Sequence, residues 1–261
     1  MNELALFAGA GGGILGGLLA GWTTVCGVEH NGYAAAILAQ RQNDGTLAPF
    51  PIWSDVCTFD GHPWRGLVDV VSGGFPCQDI SVAGKGGGIE GERSGLWREF
   101  FRIICEVRPR FAYVENSPAL TSRGLARVLA DLASIGGDAQ WCVAGADDQG
   151  AWHERKRLWL VADFDGAWEQ QPQRLDRQIG GRAGNRVADV ADDDSSGFKE
   201  QRQPKFVGPQ HTAFESGDWW AAEPGVVRMV HGLANRVDRI AALGNGQVPV
   251  VAARAWDWLT Q

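Results

Sequence analysis

The chain has 261 residues, 44% of them apolar, with 31 acidic side chains against 24 basic ones and a net charge of −7. That is enough for one large domain, or one domain with a small appendage, around a proper core. Its apolar runs are broken by glycines or charges, which argues against a membrane span, and the acidic sum weighs mildly against a polyanionic partner, although binding answers to local fields.

In chain order, residues 3–8 read as a strand, followed by the turn Phe7-Ala8-Gly9-Ala10-Gly11-Gly12-Gly13 and a helix over 14–20. No basic stretch precedes this segment, so it reads as strand, turn and helix rather than as a signal peptide. A strand over 23–28 ends at Glu29, and a helix over 32–41 follows. The next strand spans 67–72. A loop over 73–95 carries eight glycines, a length and composition that point to function or mobility. A helix over 96–107 is stopped by Pro109. Then come a strand over 111–115, a helix over 120–135, and strands over 140–144 and 157–162. Alternation of this kind predicts an α/β fold, a mostly parallel sheet with helices on both faces. After Asp163 the composition turns to Gln, Asp, Gly and Arg with little periodicity. Order returns near Val226, with a loop over 240–246 and a helix over 248–259 that Trp256 and Trp258 pack on the core. The expected division is therefore 1–162 with 226–261 as one domain, and 163–225 as a small second region.

Five scattered cysteines form no CxxC pair, so neither a zinc site nor a disulfide framework is expected, and a reducing, cytoplasmic location follows. Cys26, Cys57, Cys105 and Cys142 read as inert buried residues. Cys77 differs. It stands in Phe75-Pro76-Cys77-Gln78, just past a strand and beside the glycine-rich loop, where a thiolate could be reactive. Glu115-Asn116 closes another strand. It is either a cap for the following helix or a proton donor in a buried site. Both segments fall at the carboxyl edge of the predicted sheet, where ligands bind in open α/β folds. The glycine turn, with the carboxylate of Glu29 one strand later, is a nucleotide-binding arrangement and predicts an adenosine-containing ligand. His153-x-Arg155-x-Arg157 places three side chains on one face of a strand; they are an edge charge pattern, or the arginines hold a phosphate or carbonyl oxygen or orient Glu115. Basic clusters at Arg93, Arg98 and Arg102, at 155–157, and at Arg174, Arg177, Arg182 and Arg186 are solvated surface or local anion sites.

Taken in order, these segments resemble the C5-cytosine DNA methyltransferases over residues 3–162 and 226–261. Phe7 to Gly12, including Gly9, Gly11 and Gly12, is similar to the family's first AdoMet motif, and Glu29 to its ribose-binding acid. Asp55-Val56 resembles the pair beside the adenine, Pro76-Cys77-Gln78 the nucleophile motif, Glu115-Asn116 the glutamate motif, and Gly244-Asn245-Gly246 the element that returns to the cofactor. The resemblance implies a Rossmann-like AdoMet-dependent methyltransferase fold plus a small recognition region, S-adenosyl-L-methionine as cofactor, and double-stranded DNA as substrate. Cys77, Glu115, Arg155 and Arg157 are implied as catalytic. Phe7, Gly9, Gly11, Gly12, Glu29, His30, Asp55, Val56, Pro76, Leu96, Asn245 and Gly246 are implied at the cofactor, and Gln78, Ser81, Lys85 and Asn116 at the substrate. It implies no metal, a monomer, and in one setting a cognate restriction endonuclease acting on the same site.

The chain departs from the pattern at Ala5 (often Asp), His30 (where a Trp can stack), Ser117 (commonly apolar), His153 (usually Gln) and Gly246 (usually Ser). Three competing readings accompany this one. An RNA cytosine-5 methyltransferase shares the nucleophile. A nicotinamide-dependent oxidoreductase is suggested by Gly11-x-Gly13-x-x-Gly16 but leaves Pro-Cys-Gln unexplained. The third is a non-catalytic DNA-binding relative.

Overall fold

A computed structural model describes residues 1–76, 95–169, 238, 242 and 244–261. A seven-stranded sheet organises them, in the order β3-β2-β1-β4-β5-β7-β6. The strands are β1 (Asn2–Leu6), β2 (Thr23–Val28), β3 (Ile52–Trp53), β4 (Val70–Gly74), β5 (Phe111–Asn116), β6 (Asp138–Ala144) and β7 (Arg157–Asp163). The helices are α1 (Gly12–Leu19), α2 (Gly32–Asn43), α3 (Gly95–Val107), α4 (Leu120–Arg123), α5 (Leu125–Ser134) and α6 (Pro249–Leu259). No helix among the described residues is long and apolar enough to cross a membrane.

Strand alternation sorts the core into two layers. Leu4, Leu6, Val71, Ala112, Val114 and Leu158 face one side, where Phe100, Ile103 and Ile104 of α3 and Val128 and Leu132 of α5 cover them. On the other face, Val70, Tyr113, Trp159 and Val161 meet α6 through Val251, Ala252, Ala255 and Trp256. Trp22 stands edge-on to the Trp256 ring, centroids 4.7 Å apart. A Cβ on Gly16 would sit 2.6 Å from Ala252 Cβ, so that glycine lets α6 close on α1. Each buried side chain of this size contributes about 1.5–3 kcal/mol of transfer free energy.

Strands β1 to β5 run parallel, so their carboxyl ends share one edge. The chain steps outward from β1 to β2 and β3, then crosses back to β4 and β5. The switch between β1 and β4 opens a crevice at that edge. Strand β7 runs antiparallel to both β5 and β6, with Glu115 opposite Trp159 and Asn116 opposite Leu158. Its reversed direction delivers the segment before Arg157 to the same edge.

The mostly parallel sheet is as expected, and several element bounds shift. The first strand stops at Leu6 because Phe7 takes a positive φ of 51° to enter the turn. Gly73 and Gly74 belong to β4 rather than to a loop, and the helix expected over 120–135 is split at Gly124. Residues 153–156 are not strand, so the predicted alternation through His153, Arg155 and Arg157 fails. Arg155 has φ 37° and turns away from the strand line.

Candidate active site

The turn after β1 is held from both sides. Gly11 N–H donates to Ala8 O at 3.0 Å, and Ala8 N–H donates to Val28 O at 3.1 Å. Gly9 N–H donates to Glu29 Oε2 at 2.6 Å, while Asn31 N–H donates to Glu29 Oε1 at 2.6 Å. Glu29 thus locks the glycine turn to the end of β2, and each oxygen keeps a further lone pair toward a ligand. Gly9 and Gly11 both have positive φ, 54° and 87°, conformations that a side chain disfavours. Gly11 precedes α1, whose first turn has no side-chain cap and no acid, which leaves the first N–H donors of the helix for a ligand.

A cleft of about 550 Å³, counted to its open mouth, lies over this turn. Phe7, Gly9, Gly12, Gly13, Glu115, Asn245, Gly246 and Gln247 are among its lining residues. Phe7 stacks on Phe100, centroids 6.3 Å apart. Behind Glu29, His30 Nδ1 lies 3.0 Å from Ser54 O, and Asp55 Oδ1 accepts from Cys57 N–H at 2.9 Å. Val56 is buried and its carbonyl accepts from Arg102 Nη2 at 2.9 Å. Leu96 packs against the α3-side core rather than lining the cleft.

Glu115 enters the cleft from the carboxyl end of β5, its side chain 12% exposed. Arg157 Nε lies 2.9 Å from Glu115 Oε1 in an ion pair, and the Gln247 side-chain amide hydrogen-bonds the same carboxyl group. Burial is the larger influence. It pushes the Glu115 carboxyl up to about 7, against the opposing pull of Arg157, Arg155 and the Gln247 hydrogen bond. A carboxyl in that range can donate or accept a proton near neutral pH.

Arg155 does something different from Arg157. Its Nη2 donates to Gly244 O at 2.8 Å and also to Gly246 O. It therefore clamps the C-terminal loop onto the β7 side of the cleft. Asn116 is buried; its Nδ2 donates to Phe75 O at 3.2 Å and its Oδ1 accepts from Ser117 N–H at 2.7 Å. Both ends of its amide hydrogen-bond backbone, which ties the end of β5 to Phe75. Pro76 is exposed at the end of the described segment. Cys77, Gln78, Ser81 and Lys85 lie outside the described residues, as do Arg93, Arg174, Arg177, Arg182 and Arg186.

The other four cysteines carry no low-pKa thiol. Burial raises Cys26 to about 11 and Cys105 and Cys142 to about 12. Cys57 is exposed, contrary to expectation, and partial burial with the Asp55 and Glu99 charges raises it too. Arg102 is not a free surface cation. It bonds Glu99, Glu106 and the carbonyls of Phe59 and Val56, which ties α3 to the 3₁₀ turn over Val56–Thr58.

Two residues of the cleft carry no motif signal. Gln247 follows the Gly244-Asn245-Gly246 element directly. Glu3 is fully buried at the inner end of the cleft, where Thr24 Oγ1 donates to its Oε2 at 2.6 Å and Ser72 Oγ to its Oε1 at 2.5 Å. Nothing in the alternation of β1 distinguishes Glu3 from a solvent-facing strand start.

Comparison with known proteins gives a consistent picture. The family model described as C-5 cytosine-specific DNA methylase matches residues 1–211. The Type II methyltransferase M.Eco47II of Escherichia coli is 28% identical over 97% of this chain and 61% of its own length. The Type II methyltransferase M.CviJI of Paramecium bursaria Chlorella virus IL3A is 33% identical over 62% of this chain and 42% of its own length. The chain thus spans about three fifths or less of these curated relatives. The solved structure of the Entamoeba histolytica methyltransferase EhMeth superposes with a TM-score of 0.54 at 16% identity, over 62% of this chain and 52% of that one, a likeness of fold.

Proposed function

The chain belongs to the C-5 cytosine-specific DNA methylase family, and on that premise we propose that it transfers a methyl group from AdoMet to C5 of a cytosine in duplex DNA. The observation that carries the reading is the Glu115 carboxyl. It is poised near neutral pH between Arg157 and Gln247, in the cleft whose other wall is the glycine turn.

The cleft suits AdoMet. Gly9 leaves its backbone open to a ligand, uncapped N–H groups open α1, and the Glu29 carboxylate stands beside Gly9 for a ribose. Asn245 and Gly246 close the cleft from the C-terminal side, and Asp55 and Val56 follow β3 at the same edge. When bound, AdoMet supplies the electrophilic methyl group that C5 takes.

The chain's own residues supply the rest. The Cys77 thiolate adds to C6, forming an S–C bond and placing the electron pair on C5. Glu115 donates a proton or hydrogen bond to N3, so the adduct carries less charge. After methylation a base removes the C5 proton, the pair re-forms the ring double bond, and the C6–S bond breaks to return the thiolate. Arg157 holds Glu115 in register. Asn116 fixes Phe75 and hence the start of the Cys77 segment. The ring face at C6 is hidden by stacking in a duplex, so the cytosine is extruded before attack. Ser81 and Lys85 contact the DNA backbone.

Residues 163–225 form the recognition region, with 1–162 and 226–261 as the catalytic domain. A monomer in the cytoplasm of a bacterial or phage-infected cell is the working form, with a restriction endonuclease of the same site as its biological counterpart.

The test is transfer of tritium from AdoMet to mixed-sequence duplex, with Cys77→Ala alongside. Label at C5 of cytosines in one short motif, lost in the variant, is the expected result. Label in tRNA with none in duplex would move the activity to RNA; binding of AdoMet and DNA with no label in either would make the protein a binding relative.

A further inference from the structure

Gln247 fills the space left by two glycines of the turn, with its backbone at Gly12 and its side chain at Gly13, and it meets Glu115 beside a third, Gly74. A Cβ on Gly13 would lie 2.5 Å from Gln247 Oε1, and one on Gly74 would lie 3.3 Å from Gln247 Nε2 and overlap Glu115 Oε2. A Cβ on Gly12 would overlap the Gln247 carbonyl oxygen. Gln247 therefore passes between the first turn of α1 and the end of β4, its amide nitrogen toward the carboxyl group and its amide oxygen toward Gly13. Its backbone is fixed on both sides. Arg155 grips the carbonyls of Gly244 and Gly246, Gly246 N–H donates to Ala242 O at 2.9 Å, and Pro249 begins α6 two residues on.

We propose that Gln247 is a positioning residue for Glu115, its side-chain amide holding the carboxyl group against β4 and coupling it to the glycine turn. The proposal uses the functional reading above only for the task of Glu115; the positioning is a property of the protein alone. The groups facing Glu115 are Arg155 and Arg157 from the segment entering β7, Gln247 from the C-terminal loop, and Tyr113 from its own strand. Arg157 fixes one carboxyl oxygen. Without a second donor the carboxyl can turn about that single contact, because its neighbour Gly74 has no side chain. An amide donor on a charged acceptor also favours the ionised form.

Gln247→Met separates positioning from filling, since Met has similar length and volume but no donor. The first readout needs neither cofactor nor DNA: the Glu115 carboxyl carbon is titrated by 13C NMR, assigned by its loss in Glu115→Gln. The proposal expects Gln247→Met to melt close to the parent and to raise the Glu115 midpoint by roughly one pH unit. The second readout is methyl transfer. It expects kcat to fall about 10-fold or more with KM for AdoMet changed less than about threefold, and the alkaline limb to rise with the titration. Gln247→Leu, of similar volume, serves if Met perturbs folding. A Glu115 midpoint unchanged in Gln247→Met and Gln247→Leu would overturn the proposal and leave Gln247 a space-filling residue. A shifted midpoint in a protein that methylates nothing would uphold the positioning and refute the functional reading instead.

Discussion

Replacing Glu3 by Gln tests a buried charge directly. Glu3 is 0% exposed, and burial raises its carboxyl from 4.5 to about 7 despite hydrogen bonds from Ser72 and Thr24 that favour the ion. A rise of that size corresponds to about 3 kcal/mol. The folded state holds the proton more tightly than the unfolded chain, so stability is greatest below pH 4.5, falls as pH rises toward 7, and is level above it. At pH 8 the native protein must keep an unpaired carboxylate away from water or unfold. Gln keeps the shape and removes the ionisation; its amide oxygen accepts from one hydroxyl and its amide nitrogen donates to the other, which turns about to accept. Urea unfolding followed by tryptophan fluorescence at pH 5 and pH 8 is the assay. Glu3→Gln should be near the parent at pH 5 and up to about 3 kcal/mol more stable at pH 8, or very roughly 10 °C in Tm. Glu115 titrates in the same sense, so the variant keeps a smaller slope of its own. Equal destabilisation at both pH values would refute the reasoning, because Glu3 would then be ionised and well solvated in the fold.

Arg157→Ala removes the ion pair from Glu115 and leaves burial less opposed, so the carboxyl should titrate above the parent value of about 7; single-turnover methyl transfer at pH 7.5 should drop about 10²–10⁴-fold while equilibrium dialysis finds AdoMet affinity little changed. Tyr113→Phe deletes the hydroxyl that donates to Ala252 O at 2.6 Å and leaves that buried carbonyl short of a partner. A loss of about 1–3 kcal/mol in urea unfolding is expected.

Much of this arrangement was legible in the sequence because it is local. Strand periodicity and glycine punctuation located β1, β2, β5 and α3 to within a few residues, and the acid after β2 and the pair that ends β5 lie on the same edge as the glycine turn. What was hidden depends on contacts between distant segments. The direction of β7 is set by pairing with β5 and β6, which no alternation reports. The split at Gly124 and the two-residue strand β3 are too small to leave a pattern. Arg155 and Arg157 looked equivalent at alternate positions, yet a positive φ sends one to the C-terminal loop and leaves the other on Glu115. Gln247 and Glu3 act through burial, which a polar residue in a linear sequence does not advertise. The Cys77 segment and residues 170–225, the most recognisable and the least patterned parts of the sequence, both fall outside the described residues.

The clamp of Arg155 on Gly244 and Gly246 has a consequence for the order in which the enzyme comes into being. Every strand of the sheet is encoded before residue 164, yet one wall of the cleft and the cover of the Trp22 face are encoded after residue 243. During translation the sheet can form while Glu115 still lacks its amide partner and Trp22 faces water. On the function proposed above, chemistry at Glu115 waits until the segment carrying Gln247 and α6 has emerged and closed on α1.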